Sequence, residues 1–421
     1  MTDLATAVHV RMSGGRSVER LACHPRLPLV ACWDAERPAV HIWSCGTGEL
    51  RELGSVGAAS DAYGDAIGRD RTTRTPAVAW HPDQPLLVVA GEDGVVRWTP
   101  AGTYALEGVP AMSAYRYLAF GPDGGSLWAS PSSDGEGDAW DSSDVLDLAS
   151  GTISSAVWWD TGVAEHPGGG LVATLASDQG ETLCLFARVD QADTPAAMRL
   201  LSRALILDCD GYETPLFSPD GRHLVIRGNA YDNSLEVFGF PSLHQVLATA
   251  LGEPSPGYPS PPEWLDQMRA WSRHNLAFSS RSDALWVGTP AGTLVEVDFE
   301  TQQAAEHAVL KDSRVTALAA TAAGALLVAG GGGELALLTV LDGSAPAPGA
   351  VGDHAVAAAT AFLEAADEIP DDGDLETHLV MTDGTRVWEP GDLTTVTTAA
   401  PADPTWLRLR AAVNEMQGQN L

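Results

Sequence analysis

The chain has 421 residues, of which 24 are basic and 56 are acidic, so its formal charge is −32 at pH 7. This excess of carboxylates repels nucleic acid phosphates and anionic lipid headgroups, which argues against both as partners. The first residues do not resemble a signal peptide and no stretch approaches 18 consecutive apolar residues, so the sequence predicts a cytoplasmic protein.

The cysteines are too few and too scattered for a disulfide framework, and we expect them to be reduced. They are Cys23, Cys32, Cys45, Cys184 and Cys209. His24 and His41 lie near the first three in sequence, so nitrogen and sulfur ligands for a metal ion are present. No pair has the Cys-x2-Cys spacing of a zinc knuckle, however. The sequence therefore predicts core cysteines, with no metal and no cofactor.

The clearest repeat unit in the chain is Pro76–Pro100. It contains three short strand-like segments, Ala77–Trp80, Leu86–Ala90 and Val95–Thr99, joined by turns rich in Pro, Asp and Gly. A unit of this size cannot bury both of its faces alone. It must therefore stack on copies of itself.

Eight such units can be counted along the chain, at spacings of roughly 40 to 60 residues. They begin at Val18, Ala77, Tyr117, Val163, Pro215, Leu276, Val315 and Ala359. The eighth takes Ala359–Leu363, Leu379–Thr382 and residues 386–388 as its strands. An alternating segment, Val8–Met12, precedes the first unit and is expected to pair in the last blade, for which Leu393–Thr398 is a further candidate outer strand.

The repeating order of strands and turns resembles the WD40-repeat family, including a strand that ends in Trp at Trp43, Trp98 and Trp388. The family's Asp after that Trp is replaced here, and its Gly-His dipeptide is not recognisable. Such degeneracy is usual among bacterial members. The resemblance implies an all-β fold, a single closed β-propeller of four-stranded blades with short helical insertions. We expect it over residues 1–403, followed by an amphipathic tail at 404–421. Counting favours eight blades, and seven is the alternative.

Motifs that could carry chemistry have simpler structural interpretations. His24, His81 and His166 each precede a Pro at the same place in a unit, which is typical of turn residues. Gly330–Gly333 lies between apolar strands without a following Lys, so it predicts a hairpin rather than a nucleotide loop. Asp367–Glu376 carries six carboxylates but lacks the spacing of a calcium loop, which favours a solvated acidic loop.

Four insertions fall on one predicted face of the propeller, where binding residues often lie. They are Ser55–Thr75, Pro131–Ser143, Asp190–Leu201 and Gly252–Arg273. The first carries Arg69, Arg71 and Arg74, a basic patch on an acidic protein. These arginines either contact a partner or pair with nearby acids.

The fourth insertion contains a proline-rich stretch, Pro254–Pro262, and then a predicted helix, Pro261–Trp271, with a capping box at its start. Its apolar stripe consists of Trp264, Leu265, Met268 and Trp271. Such a stripe either packs on its own blade or docks a protein. The segment Trp406–Met416 repeats the arrangement.

The leading hypothesis is a non-catalytic, WD40-like scaffold that docks a protein partner on this insertion-bearing face. The expected partner-binding residues are the stripe on Pro261–Trp271 and the three arginines. Two alternatives stay open, because fold alone does not fix function. One is a propeller enzyme, a lyase or hydrolase, with a site at the central channel. The other is a small-molecule sensor domain.

Overall fold

The computed structural model describes residues 3–46, 48–92, 94–109, 115–131, 142–157, 159–178, 181–190, 198–208, 212–228, 233–257, 259–279, 284–341, 352–370, 375–401 and 403–419. Its strands form seven antiparallel blades, each built on four strands in meander order. The protein is therefore an all-β β-propeller with few helices.

The amino-terminal strand and the first three blades precede residue 158. The strands are β1 (Asp3–Arg11); β2 (Val18–Cys23), β3 (Leu29–Asp34), β4 (Val40–Ser44) and β5 (Arg51–Val56) in blade 1; β6 (Ala77–Trp80), β7 (Leu87–Gly91), β8 (Gly94–Thr99) and β9 (Gly102–Ala105) in blade 2; and β10 (Tyr117–Phe120), β11 (Ser126–Ser130), β12 (Ser142–Asp147) and β13 (Thr152–Val157) in blade 3. Helix α1 (Gly68–Arg74) separates blades 1 and 2.

The remaining four blades follow in chain order. Their strands are β14 (Ala164–Glu165), β15 (Leu171–Asp178), β16 (Glu181–Val189) and β17 (Met198–Leu207) in blade 4; β18 (Leu216–Phe217), β19 (His223–Arg227), β20 (Ser234–Gly239) and β21 (His244–Ala250) in blade 5; β22 (Leu276–Phe278), β23 (Ala284–Gly288), β24 (Thr293–Asp298) and β25 (Gln303–Ala308) in blade 6; and β26 (Val315–Ala320), β27 (Leu326–Gly330) and β28 (Glu334–Leu341) in blade 7. Helix α2 (Pro262–Ala270) precedes blade 6.

The last residues form helices and one hairpin instead of a further blade. They are α3 (Asp353–Glu364), α4 (Leu375–His378), β29 (Val380–Thr382), β30 (Val387–Trp388), α5 (Pro390–Thr395) and α6 (Thr405–Gln419). The prediction of eight blades is therefore wrong, and the seven-blade alternative matches.

The residues of the expected eighth unit have other roles. Ala359–Leu363 lies within α3, because Ala355, Ala359 and Phe362 recur at helical spacing and all three are buried. Leu379–Thr382 contributes β29, which pairs in parallel with β17 and extends the sheet of blade 4 to six strands. The expected outer strand Leu393–Thr398 begins inside α5.

The amino-terminal strand completes the last blade of the propeller, as expected, but that blade is the seventh repeat unit and not the predicted eighth. β1 runs antiparallel to β28 and is the fourth strand of blade 7, with Val8 opposite Leu337 and Val10 opposite Leu335. The Arg11 guanidinium donates to Glu334 at 2.8 Å, at the end of this pairing. The last blade is thus completed by the start of the chain.

The described chain divides into two compact units. Blades 1, 2, 3, 6 and 7, with α1 and α2, belong to the first unit. Blades 4 and 5, with the helices and hairpin after residue 351, belong to the second. In the first unit, indole N–H groups join blades 1 and 2: Trp33 donates to the Pro76 carbonyl at 2.7 Å and Trp80 to the Ala22 carbonyl at 2.8 Å.

The three His-Pro histidines are turn residues, as predicted. His24 Nδ1 accepts the backbone N–H groups of Arg26 and Leu27, each at 3.0 Å. Its Nε2 then carries the proton and donates to the Gln84 carbonyl of blade 2 at 2.8 Å. The His24 ring also packs on Trp80 of that blade. The same side chain therefore closes its own turn and links its blade to the next.

His81 and His166 repeat this arrangement. His81 Nδ1 accepts the N–H of Asp83 at 3.0 Å, and its ring packs on Phe120 of blade 3. In the second unit, His166 Nε2 donates to the Gly221 carbonyl of blade 5 at 3.1 Å. Gly124 has a positive φ of 70°, and a Cβ there would lie 2.4 Å from His81 Nε2. The turn of blade 3 that contacts the His81 ring therefore needs glycine at position 124.

Candidate functional site

The first insertion is organised around a buried tyrosine, Tyr63, that the sequence did not single out. The Arg71 guanidinium carbon lies 3.2 Å from the centre of the Tyr63 ring, and that of Arg74 lies 5.4 Å away. Burial raises the pKa of the Tyr63 hydroxyl. Since α1 has no buried residue of its own, these stacked arginines hold the helix on the propeller.

Arg71 connects α1 to blade 1. Its Nη2 pairs with the Glu19 carboxylate on β2 and donates to the Ala35 carbonyl at 3.0 Å. Its side chain is mostly buried. Arg71 thus serves as an internal tie between the insertion and the inner strand of blade 1.

Arg74 connects α1 to blade 2. Its Nε donates to Glu92 Oε1 at 2.6 Å, and its Nη groups donate to the carbonyls of Asp61, Ala62 and Tyr63 at 3.2 to 3.4 Å. The bond to Glu92 raises the pKa of Arg74. Arg71 and Arg74 therefore pair with nearby acidic residues, which is one of the two alternatives that the sequence left open.

The tip of this insertion faces solvent. Ile67, directly before α1, is 81% exposed, and Arg69 in the first turn of the helix is also exposed. Ile67 is therefore a largely exposed apolar side chain on a segment that two arginines hold in place.

The predicted helix of the fourth insertion is present as α2, which begins and ends one residue inside Pro261–Trp271. Trp264 is 9% exposed and packs on the propeller. Leu265, Met268 and Trp271 are intermediate in exposure. The apolar stripe is therefore partly buried and partly accessible.

The carboxyl end of α2 is fixed on blade 7. Ser272 Oγ donates to the Thr316 carbonyl at 2.6 Å, and the Leu318 N–H donates to the His274 carbonyl at 2.8 Å. Thr316 and Leu318 both lie on the inner strand β26. These bonds hold the exposed part of the stripe in one position.

Helices α1 and α2 share a face of the first unit. Each leads directly into the innermost strand of a blade, β6 for α1 and β22 for α2. Inner strands β22 and β26 are in contact, as are β26 and β2. Because every blade is a meander that starts at its inner strand, the segments entering these strands lie on one face. We call the surface formed by α1 and α2 the insertion face.

Parts of three insertions lie outside the described residues, namely 132–141, 191–197 and 258. So do residues 371–374 of the acidic segment Asp367–Glu376. The expectations for those residues stay predictions.

A buried polar cluster in blade 1 lies outside the predicted site. His41 Nδ1 lies 2.8 Å from Glu52 Oε1, and its Nε2 lies 3.6 Å from Asp34 Oδ2 and 3.2 Å from Arg16. Burial alone would lower the pKa of His41, but the two carboxylates outweigh it and raise that pKa. The sequence placed His41 among possible metal ligands; here it joins strands β3, β4 and β5 through carboxylates.

The cysteines near His41 are core residues. Cys32 and Cys45 are buried in an apolar cluster. Burial raises the pKa of Cys45 to about 11, which disfavours the thiolate that metals bind. Within the part of the chain that the structure describes, no group of three or more His, Cys, Asp or Glu residues is placed to hold a metal ion. Nor does any helix among those residues have the length and apolar character needed to cross a membrane.

The chain is thus a β-propeller whose helical insertions present a partly apolar surface, the insertion face. No protein-family model matches the chain, and no curated protein matches it either. The resemblance to WD40 repeats accordingly depends on the residues of the chain itself.

Proposed function

We propose that this β-propeller is a non-catalytic, WD40-like interaction scaffold that docks a partner protein on the insertion face. The observation that carries the proposal is the apolar stripe of α2, which is partly buried and partly accessible. Trp264 packs inward, whereas Leu265, Met268 and Trp271 retain accessible surface. Tryptophan and methionine are enriched at protein interfaces, where a few such side chains supply most of the binding energy.

The rigidity of both insertions supports this role. Arg71 and Arg74 tie α1 to blades 1 and 2, and Ser272 ties the end of α2 to β26. A surface that is already ordered loses little conformational entropy on binding. The formal charge of −32 further favours a protein partner over nucleic acid or membrane.

The sole lysine of the chain provides a sharp test. Lys311 is exposed in the segment between β25 and β26, five residues before the Thr316 that anchors α2. An amine-reactive photo-cross-linker attached to the Lys311 amine is therefore directed at the insertion face. We expect the labelled protein to cross-link to a specific protein in an extract of its source cells, and Lys311→Arg to abolish that product.

Truncation of the stripe then tests the surface itself. Trp271→Ala should weaken the interaction by about 2 kcal/mol, roughly thirtyfold in affinity, because an aromatic anchor is removed. Tyr104→Ala is the matched control, since Tyr104 is an exposed aromatic on β9, the last strand of blade 2, and belongs to neither α1 nor α2. Equal yields of the product from wild type and Trp271→Ala, or equal losses in both variants, would contradict the proposal.

A further inference from the structure

The outermost strand of blade 3, β13, has an edge that no described strand covers. It pairs with β12 along its whole length, from Thr152 opposite Asp147 to Val157 opposite Ser142, and is the last strand of its sheet. Most of its side chains are exposed, and Val157 is 44% exposed. A strand in this position presents a row of backbone N–H and C=O groups to which a further strand can bond.

The edge of β13 lacks the features that usually prevent pairing between strands of two molecules. Proteins protect exposed edges with charged side chains, with proline or with a covering segment. The other described outermost strands of comparable length, β1, β5, β21 and β25, each carry an acidic, basic or histidine side chain. On β21 the Gln245 N–H also donates to the Gly384 carbonyl at 3.0 Å. In the part of the chain that the structure describes, β13 has no such protection, since its sequence is Thr-Ile-Ser-Ser-Ala-Val.

The sequence of β13 is also complementary to itself. In an antiparallel ladder, residues directly opposite each other lie on the same face, and successive residues of a strand lie on opposite faces. When two copies of β13 pair about a two-fold axis at Ser155, Ile153 of each copy lies opposite Val157 of the other. Such β-branched side chains pack well on a pleated surface. On the other face Ser154 lies opposite Ala156, so no charged residue opposes its own copy.

We propose that β13 is a self-association site, through which two copies of this protein pair edge to edge and join their third blades into one continuous sheet. A two-fold dimer suits this edge because such an interface uses the same patch on both subunits. A pairing of two short strands buries less than the roughly 1,600 Å² of a standard stable interface, so the dimer dissociates readily. This inference goes beyond the insertion face and does not depend on it.

Sedimentation velocity of the full-length protein tests the proposal. We expect a monomer–dimer equilibrium with a Kd of about 10 to 100 μM. Each copy has a formal charge of −32, so long-range repulsion opposes pairing. The Kd should therefore fall as NaCl is raised from about 50 to 500 mM, because salt screens this repulsion. A protein that remains monomeric at about 200 μM in the higher salt would overturn the proposal.

A charged substitution at the two-fold axis locates the contact. Ser155→Lys should weaken the dimer at least about tenfold, because two ammonium groups would lie opposite each other. The added positive charge lowers the overall repulsion between copies, so it cannot itself cause this loss. Thr249→Lys is the matched control, since it adds the same charge at an exposed position of the outermost strand β21. Equal weakening by both variants, at unchanged melting temperatures, would contradict the proposal.

Oxidative cross-linking tests the register. Ser155→Cys places a thiol at the axis, opposite the same thiol of the second copy, and should give a disulfide-linked dimer. In Ser154→Cys the two thiols belong to diagonal neighbours with Cα atoms about 7 to 8 Å apart, which is too far for a disulfide. The oxidised wild type is the background control, because the chain has five cysteines of its own. Equal cross-linking of the two variants would overturn the proposed pairing.

The variant Trp271→Ala separates this inference from the proposed function. It changes the insertion face and leaves β13 intact, so its Kd for dimerisation should equal that of the wild type. Conversely, Ser155→Lys should retain the Lys311 cross-link to the partner protein. A Trp271→Ala variant that fails to dimerise would show that self-association uses the insertion face and not β13.

Discussion

The protonation state of three buried histidines affects the stability of the folded protein. His24, His81 and His166 are buried, and burial lowers the pKa of each imidazole. Their Nδ1 atoms accept backbone N–H groups, so a second proton would break the turn. The sequence predicted the turns because the His-Pro pair recurs in register. It could not predict the bond to the next blade, which exists only once blades are stacked.

The sign of the pH dependence follows from the lowered pKa. At a pH between the folded-state pKa of His24 and its unfolded pKa of about 6.5, the unfolded chain binds more protons than the folded protein does. The stabilisation from His24 is therefore complete above that unfolded value and is lost as the pH falls below it. We expect His24→Asn, which keeps a side-chain acceptor for the turn, to lower the free energy of unfolding by about 1 kcal/mol at pH 7.5.

The loss in free energy of unfolding caused by His24→Asn should become smaller as the pH falls from 7 to 5.5. Urea unfolding across this pH range measures it. His41 supplies a control of opposite sign, because Asp34 and Glu52 raise its pKa. Its stabilisation is present below the unfolded pKa and is lost as the pH rises through the folded one. The cost of His41→Gln should therefore grow towards acid pH. A cost of His24→Asn that does not vary with pH would contradict the assignment.

At the scale of elements, the sequence predicted most strands of the seven blades and misread the last unit. Ala359–Leu363 is an apolar run of a length that suits a strand, and only the wider spacing of Ala355, Ala359 and Phe362 indicates a helix. The hairpin β29–β30 was identified as strands, but its partner β17 lies far away in sequence. Such non-local pairing is decided by packing rather than by local pattern.

Phe362 makes α3 an integral part of the second unit. Its ring lies 4.8 Å from Phe186 and 4.9 Å from Phe240, measured between ring centres, and is fully buried. Phe362→Ala should therefore lower the free energy of unfolding by about 3 to 5 kcal/mol. Val356→Ala, on the exposed side of the same helix, should change it by less than about 0.5 kcal/mol. Thermal unfolding of the two variants checks this, and an effect of Phe362→Ala as small as that expected for Val356→Ala would contradict the role of Phe362 in the core.

At this scale the helix α2 was predicted from the sequence, whereas the contacts of α1 were not. The sequence indicated α2 and its stripe, because a capping box and apolar spacing are local signals. It did not reveal that Tyr63, Glu19 and Glu92 would engage the arginines of α1, since these residues meet only in the folded blades. Tyr63 is the single aromatic residue in the sequence of this insertion, and that was the available signal.

At the scale of the whole molecule, the repeats predicted the β-propeller architecture correctly, but they did not predict the number of blades. Because the repeat units are degenerate, the number of blades depends on which segments pair with a neighbouring strand in the fold. β1, for example, is the fourth strand of blade 7. The identity of a partner cannot be derived in this way, because it depends on a surface of another molecule.

The last prediction concerns the strand that completes blade 7. Leu4, Val8 and Val10 of β1 pack against the apolar clusters of the first unit, and the Arg11 guanidinium pairs with Glu334. Deletion of residues 1–11 would remove these contacts and leave the edge of β28 unpaired. We expect the melting temperature to fall by at least about 10 °C, since the apolar loss alone amounts to several kcal/mol.

A synthetic peptide of residues 3–11 should restore part of that loss in a concentration-dependent way, because it binds the folded state alone. The same peptide with Val8 and Val10 changed to Ser should not, as its apolar contacts with blade 7 are weakened. A truncated protein that melts at the temperature of the full chain would show that β1 contributes little to the stability of blade 7, and the assignment of its fourth strand would then have to be revised.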